Sequence, residues 1–316
     1  MPAVEMLSRT DTVSLDEATI AELRARIRGD ILEPGDPGYD VARQVWNGMI
    51  DRRPALIARC AGVADITTMV RFARGRDALV SVRGGGHNVP GNAVCDRGIV
   101  IDLSRMKGIR VDPVQRTVRA EGGVLWCELD HETQAFGLAT TGGSVSDTGI
   151  AGLTLGGGIG WLGGKHGLTC DNLLAADIVM ADGELLRASA EENADLLWCL
   201  RGGGGNFGVV TSFEYQLHLV GPVFGGPVFY PFEKAADVLR LYRDFSRSIP
   251  DELNTMGALL HTPDGAPVVA IAACYNGPVS DGETALAAVR RFGPPVADQL
   301  QACLLYTSDA ADDLTR

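Results

Sequence analysis

The sequence predicts an α+β fold: two small subdomains that together form one ligand-binding half, then a different α+β unit. Three observations lead there. Short apolar, β-branched runs alternate with segments of helical spacing between residues 55 and 215. Glycine, 40 of 316 residues where about 7% is usual, is clustered at 84–86, 156–160, 163–164 and 202–205 without a fixed period. These glycine motifs stop after about Val220.

Taken in order, Ser14-Leu15-Asp16-Glu17 has the form of a capping box ahead of an amphipathic run over 20–27. A polar Pro/Gly stretch follows at 33–38. Ala78-Leu79-Val80-Ser81-Val82 and Gly98-Ile99-Val100-Ile101-Asp102-Leu103 are both expected as buried strands. Ile66, Met69, Val70 and Ala73 have helical spacing, which gives strand–helix–strand order from residue 55 to 103. A strand is predicted at 117–120 and a helix over 124–136. Two strands over 175–189 turn at Asp182-Gly183, a strong hairpin signal. A helix is predicted over 193–200 and a strand over 209–215, rich in β-branched and aromatic residues. Phe229-Tyr230-Pro231 enters the last unit, with a helix expected over 235–245.

Composition narrows the function. With 46% hydrophobic and 22% charged residues the chain suits a soluble globular protein, long enough for two domains. A net charge of −12 argues against nucleic acid or an anionic membrane surface as partner. Seven singly scattered cysteines lack metal-ligand spacing, so no metal is expected, and they suggest reduced thiols and a cytoplasmic setting. The N-terminus lacks the pattern of a signal peptide, and no apolar stretch approaches 18 residues.

Arg83-Gly84-Gly85-Gly86-His87-Asn88 carries the most information. Consecutive glycines let backbone N–H groups approach an anion and adopt positive φ without strain. A phosphate-bearing ligand is the expectation, with His87 aimed at what the phosphates carry. The same stretch also suits a tight turn whose histidine is merely hydrogen-bonded. No Gly-x-x-x-x-Gly-Lys-Ser/Thr is present, and Gly156-Gly157-Gly158-Ile159-Gly160 lacks the parallel βαβ unit that a dinucleotide fingerprint requires.

Four ordered motifs resemble the FAD-linked oxidases of the vanillyl-alcohol oxidase and p-cresol methylhydroxylase (PCMH) superfamily, and within it a bacterial berberine-bridge-enzyme-like oxidase. They are Arg83 to Asn88, Thr140-Thr141-Gly142-Gly143-Ser144, Gly152-Leu153-Thr154-Leu155-Gly156-Gly157-Gly158, and Arg201-Gly202-Gly203-Gly204-Gly205-Asn206-Phe207-Gly208-Val209-Val210. The match runs from about Arg53 to His218 and weakly to about Gln301. The resemblance implies FAD held by Arg83, Gly84, Gly85, Gly86, His87, Asn88, Thr141, Gly142, Gly143, Ser146, Gly152, Thr154, Leu155, Gly157, Gly158 and Val210. It also implies a covalent bond from His87 to the flavin 8α-methyl, a step for which a neutral imidazole is a competent nucleophile. Many plant-like members add a second, cysteinyl bond. That position is Val145 here, with Cys127 and Cys170 outside the motif, so a single bond is implied.

Trp161 and Trp198 are expected in the core, and His166 as a satisfied structural histidine. The domains implied are an N-terminal helix and linker (1–38), a PCMH-type FAD-binding domain (39–218) and a partial substrate-binding domain (219–302). Residues 303–316 resemble a translated sequencing adapter and are expected to be a non-native tail. The catalytic residue is expected downstream; Tyr230, His261 and Tyr275 are each equally well explained by packing or exposure. The implied reaction takes a hydride from an alcohol, sugar hydroxyl or amine and passes the electrons to O2, giving hydrogen peroxide. A dehydrogenase or reductase with another acceptor, or an FAD-binding fragment without turnover, are the alternatives.

Overall fold

A computed structural model describes residues 4–8 and 11–305. The chain opens with an antiparallel hairpin of β1 (Val4–Leu7) and β2 (Thr12–Leu15), then α1 (Glu17–Arg26). Asp16, not Ser14, caps this helix: its carboxylate accepts the Thr19 N–H at 2.8 Å, which holds its pKa below the usual carboxylate value. The capping box expected at Ser14 does not form, because Ser14 belongs to β2 and the helix begins two residues later.

The first subdomain contains β3 (Asp30–Leu32), α2 (Tyr39–Ala42), β4 (Leu56–Arg59), α3 (Val63–Arg74), β5 (Val80–Arg83) and β6 (Ile99–Asp102). Its sheet has the order β3-β4-β6-β5, with β4 and β5 parallel to β6 and β3 antiparallel to β4. Ile66, Met69 and Ala73 of α3 pack on Leu56, Ile99 and Ile101, joined by Ile20 and Leu23 of α1. Only β6 is buried throughout; β5 starts two residues later than the apolar run suggests, with Leu79 and Val82 exposed, because it is an edge strand. The stretch 33–38 is a pinned turn: Arg24 pairs with Glu33 at 2.8 Å and Asp36 at 3.0 Å.

Buried Asp65 ties this subdomain together by accepting the N–H groups of Arg28, Gly29 and Ala61 at 2.9, 3.0 and 2.8 Å. Asp65→Ala orphans all three donors. At about 1 kcal/mol each, the expected loss is about 3 kcal/mol, read from urea unfolding. A loss below about 1 kcal/mol would mean that water replaces the carboxylate freely.

The second subdomain holds β7 (Ile109–Asp112), β8 (Thr117–Glu121), α4 (Trp126–Gln134), β9 (Leu138–Ala139), α5 (Ile150–Leu155) and α6 (Gly163–His166). It continues with β10 (Leu173–Val179), β11 (Leu185–Ser189), α7 (Ala194–Leu200), β12 (Val209–Gln216) and β13 (His218–Leu219). Its main sheet, β11-β10-β12-β8-β7, is antiparallel throughout. The β10–β11 hairpin turns at Asp182-Gly183, where Gly183 has φ +82. Trp126, Leu129, Phe213 and Tyr215 fill its core.

The third unit comprises β14 (Val223–Pro231), α8 (Ala235–Phe245), β15 (Leu253–His261), β16 (Pro267–Tyr275), α9 (Val279–Ala285), α10 (Ala287–Arg291), β17 (Ala297–Asp298) and β18 (Gln301–Cys303). The sheet order is β15-β16-β14-β17, and β18 also pairs with β14. Tyr230 is buried and donates to Val289 O at 2.6 Å, Tyr275 is in the core, and His261 is exposed. Cys303 pairs with Val223, and Leu305 packs near Leu162 and Val220; the rest of the suspected tail lies outside the described residues.

Candidate functional site

The Gly84–Gly86 loop leaves the end of β5 and meets a second loop over residues 140–149. The two interlock. A Cβ on Gly85 would lie 2.3 Å from Gly149 N, and one on Gly149 would lie 2.4 Å from Gly85 N. Gly84 sits against Gly122, and Gly122 against the carbonyl of Val210 on β12, so the first motif reaches the fourth through the core. The Arg83 side chain turns back beneath the loop, donating to Ala42 O and lying against Gly86, whose φ is +77. The Asn88 side chain accepts the Asn92 N–H at 2.8 Å and shapes the following turn. Arg83, Gly85 and Asn88 therefore build the loop through their side chains or lack of one; any contact they make with a ligand is left to backbone.

The second and third motifs are packed as closely. Gly142 lies on the Trp126 ring, Gly143 on Leu153, and Gly158 on Thr169. A Cβ on Gly160 would fall 1.5 Å from Gly142 O. The Thr154 hydroxyl donates to Ile150 O at 2.7 Å and shares a 2.8 Å hydrogen bond with Tyr215, so it is committed to the core. The Ser146 carbonyl accepts from Cys127 N at 2.9 Å, Leu155 O accepts from Gly204 N at 2.8 Å, and Val145 O accepts from Thr148 N. Gly152 and Gly157 differ from the rest: a Cβ at either would meet nothing within 4 Å. They are the open faces of these two motifs; Gly202 and Gly205 of the fourth motif are open as well.

Four buried polar atoms beside these loops have no hydrogen-bond partner among the described residues: Thr140 Oγ1, Thr141 Oγ1, Thr169 Oγ1 and Trp126 Nε1. Buried polar groups are normally satisfied, so such a cluster marks a place for polar edges of a bound molecule. Hydroxyls that donate or accept and an indole N–H that donates suit a ligand with mixed carbonyl and ring-nitrogen edges. These donors, with the open glycine faces, fit FAD.

At the rim, His87 is held on three sides. Its Nε2 lies 3.1 Å from Asp147 Oδ1, its Nδ1 lies 3.4 Å from Thr148 Oγ1, and Trp46 stacks on the ring at 5.4 Å between centroids. Trp46 is held at this place by its backbone N–H, which donates to Gly86 O at 3.1 Å. Sequence reasoning missed Trp46, Asp147 and Thr148. The last two lie between the second and third glycine motifs and could have been found there; nothing local marks Trp46.

Trp161 packs partly buried beside Leu162 and Val220, as expected, but Trp198 is 78% exposed on α7. It faces away because Leu197 and Leu200 already supply that helix's buried side. Cys127 lies near Val145, its backbone N–H bonded to the neighbouring Ser146 O, and burial raises the thiol pKa of both Cys127 and Cys170. His166 is structural: it stacks on His218 at 3.9 Å, and Asn276 Nδ2 donates to its Nε2 at 3.3 Å.

Burial, then the neighbouring His218 and Lys165, lower the His166 pKa from 6.5 to about 4, and burial also lowers that of His218. Between those limits the unfolded chain binds a proton that the folded chain refuses. Stability therefore falls as pH drops through this window, and His166→Gln should flatten the dependence of the urea midpoint. An unchanged slope would show that other groups dominate.

The FAD binding domain family matches residues 54–189. An FAD-linked oxidoreductase of Aspergillus terreus is 37% identical over 302 residues, covering 93% of this chain and 61% of that protein. The (R)-6-hydroxynicotine oxidase of Paenarthrobacter nicotinovorans is 35% identical over 280 residues, covering 87% and 60%. The chain thus spans about 60% of the length of the curated relatives it matches. Among solved structures, 6-hydroxy-D-nicotine oxidase from Arthrobacter nicotinovorans superposes with a TM-score of 0.85 at 34% identity, over 91% of this chain and 64% of that one. A berberine-bridge-enzyme-like protein of Physcomitrella patens shares the fold, with a TM-score of 0.84 at 22% identity over 94% and 67%. The matched domain, these relatives and this fold place the chain in a family of enzymes: it belongs to the FAD-linked oxidoreductases of the vanillyl-alcohol oxidase and p-cresol methylhydroxylase superfamily.

Proposed function

We propose that this chain holds FAD covalently through His87 and serves an oxidase that acts on the amine or alcohol of an uncharged, largely apolar small molecule. The observation that carries the reading is the arrangement around the interlocked loops: open faces at Gly152 and Gly157, four buried polar atoms near Gly142 and Gly158 with no partner among the described residues, and His87 at the rim. Bound FAD supplies a hydride acceptor and passes two electrons to O2, giving hydrogen peroxide. Thr140, Thr141, Thr169 and Trp126 would hold its polar edges, the glycine backbone would lie along its length, and Trp46 would cover His87. Val210, whose carbonyl already abuts Gly122, would serve the adenine end through its backbone.

The substrate side is carried by the third unit. Asn254 Nδ2 donates to Gly160 O at 2.9 Å, bringing one face of the β15-β16-β14 sheet to the glycine loops. Alternation puts Met256 and Ala258 on the Asn254 side of β15. Register then sets Ala272 and Pro227 beside Met256, and Ala270 and Phe229 beside Ala258. None of these six carries a charge or a hydrogen-bonding group. A sugar hydroxyl, by contrast, needs placed polar partners.

The test is peroxide release on a panel of benzylic and heteroaromatic amines and alcohols beside xylobiose and cellobiose. Peroxide from the aromatic compounds is expected. Turnover of the sugars alone would overturn the substrate reading, and reduction of an artificial dye without peroxide would move the acceptor away from O2.

A further inference from the structure

We propose that Asp147 is the positioning residue for cofactor attachment: it fixes the tautomer of His87 and so selects Nδ1 as the atom that bonds the flavin. The inference rests on the covalent reading of His87 above and goes beyond it by naming the atom and the group that prepares it.

The tautomer follows from donor and acceptor chemistry. An ionised carboxylate only accepts hydrogen bonds, so the 3.1 Å contact between Asp147 Oδ1 and Nε2 requires the proton on Nε2. A neutral ring then carries a lone pair on Nδ1. Among the described residues the hydrogen-bond partner of that nitrogen is the Thr148 hydroxyl at 3.4 Å, a long contact that a hydroxyl can make as donor and surrender by rotation. Trp46 stacks on the ring with an interplanar angle of 24°, which restricts rotation of the imidazole about its own axis. The His87 side chain is 18% exposed and Asp147 45%, so the pair sits at the rim with its carboxylate within reach of solvent.

The same contact serves the chemistry of attachment. The bond formed joins Nδ1 to the flavin 8α-carbon, and the bond broken is one C–H of that methyl group. Its proton leaves to solvent, and its electron pair remains on the flavin, which is thereby reduced by two electrons and is returned to the oxidised form by O2, giving hydrogen peroxide. Attack through Nδ1 leaves the ring cationic, with its N–H still on Nε2. Asp147 lies where that charge develops, and the proton can then pass to it or to water. A histidine whose other nitrogen is oriented by a carboxylate is the arrangement that holds a single tautomer in hydrolase triads; here it would act on a nucleophilic nitrogen instead of a base.

Two variants separate the elements of the proposal. Asp147→Asn keeps a carbonyl that can accept the Nε2–H but removes the charge; Asp147→Ala removes both. In the flavin-free full chain, nitrogen NMR of the imidazole is expected to show His87 with its proton on Nε2. The Ala variant is expected to show a mixture of tautomers. When FAD is added, acid-stable flavin should form roughly tenfold or more slowly in the Ala variant, with the Asn variant between it and the parent. Near-ultraviolet circular dichroism matching the parent keeps a folding defect from imitating the result.

A proton found on Nδ1 in the parent chain, or Ala-variant attachment at the parent rate, overturns the role of Asp147 alone. A parent chain that releases all of its flavin in acid overturns the covalent reading and the attachment step with it.

Discussion

A His87→Ala chain is expected to take up FAD and release all of it on acid precipitation, whereas the parent precipitate stays yellow. The effect is all-or-none because the substitution removes the only proposed nucleophile; Val145 cannot supply a second bond, and the Cys127 and Cys170 thiols lie outside the motif. The fold should hardly notice. His87 contributes a rim contact with Trp46 and a partly exposed pair with Asp147, together worth about 1 kcal/mol or less. A His87→Ala precipitate that remains yellow would place the bond elsewhere. A colourless parent precipitate would abolish the covalent claim while leaving FAD binding intact.

Gly85→Val and Gly152→Leu should both abolish flavin uptake, but for different reasons. At Gly85 a new Cβ would lie 2.3 Å from Gly149 N and 2.6 Å from Gly149 Cα, both backbone, so the two loops must part. The flavin-free chain should itself melt several degrees lower, a loss of roughly 2 kcal/mol or more. Gly152 lies in α5 and faces open space. Leucine there improves helix propensity by somewhat under about 1 kcal/mol, so the flavin-free melting temperature should hold or rise while FAD binding is lost. Gly157, at φ +109 with an equally open face, combines both effects under substitution. Parent-like FAD affinity in Gly152→Leu would show that the open face is not where the cofactor lies.

Much of the fold was legible because local chemistry and tertiary context agree. α8 occupies 235–245 as expected, the hairpin turns at Asp182-Gly183, and Ile66, Met69 and Ala73 face the core from α3. Disagreement arose where one pattern admitted two outcomes. The capping box expected at Ser14 gives way to Asp16 because Ser14 belongs to β2, and the start of β5 depends on its being an edge strand. Trp198 was expected inside by its size, yet α7 buries its leucines and leaves the indole in solvent.

The sequence by itself determined that several backbone segments must approach something closely, that one histidine stands at the end of the first, and that valine occupies position 145. These are properties of residue type, since only glycine lacks a Cβ and valine has no thiol. The tertiary structure alone decided what each glycine approaches. Gly85, Gly142, Gly158 and Gly160 turn out to meet other parts of the protein, whereas Gly152 and Gly157 face open space. It alone also decided the setting of His87, by bringing Trp46 and Asp147 to the ring from segments far apart in the chain. Such contacts carry no local sequence signal, because the hydrogen bonds and packing that close the intervening loops fix them.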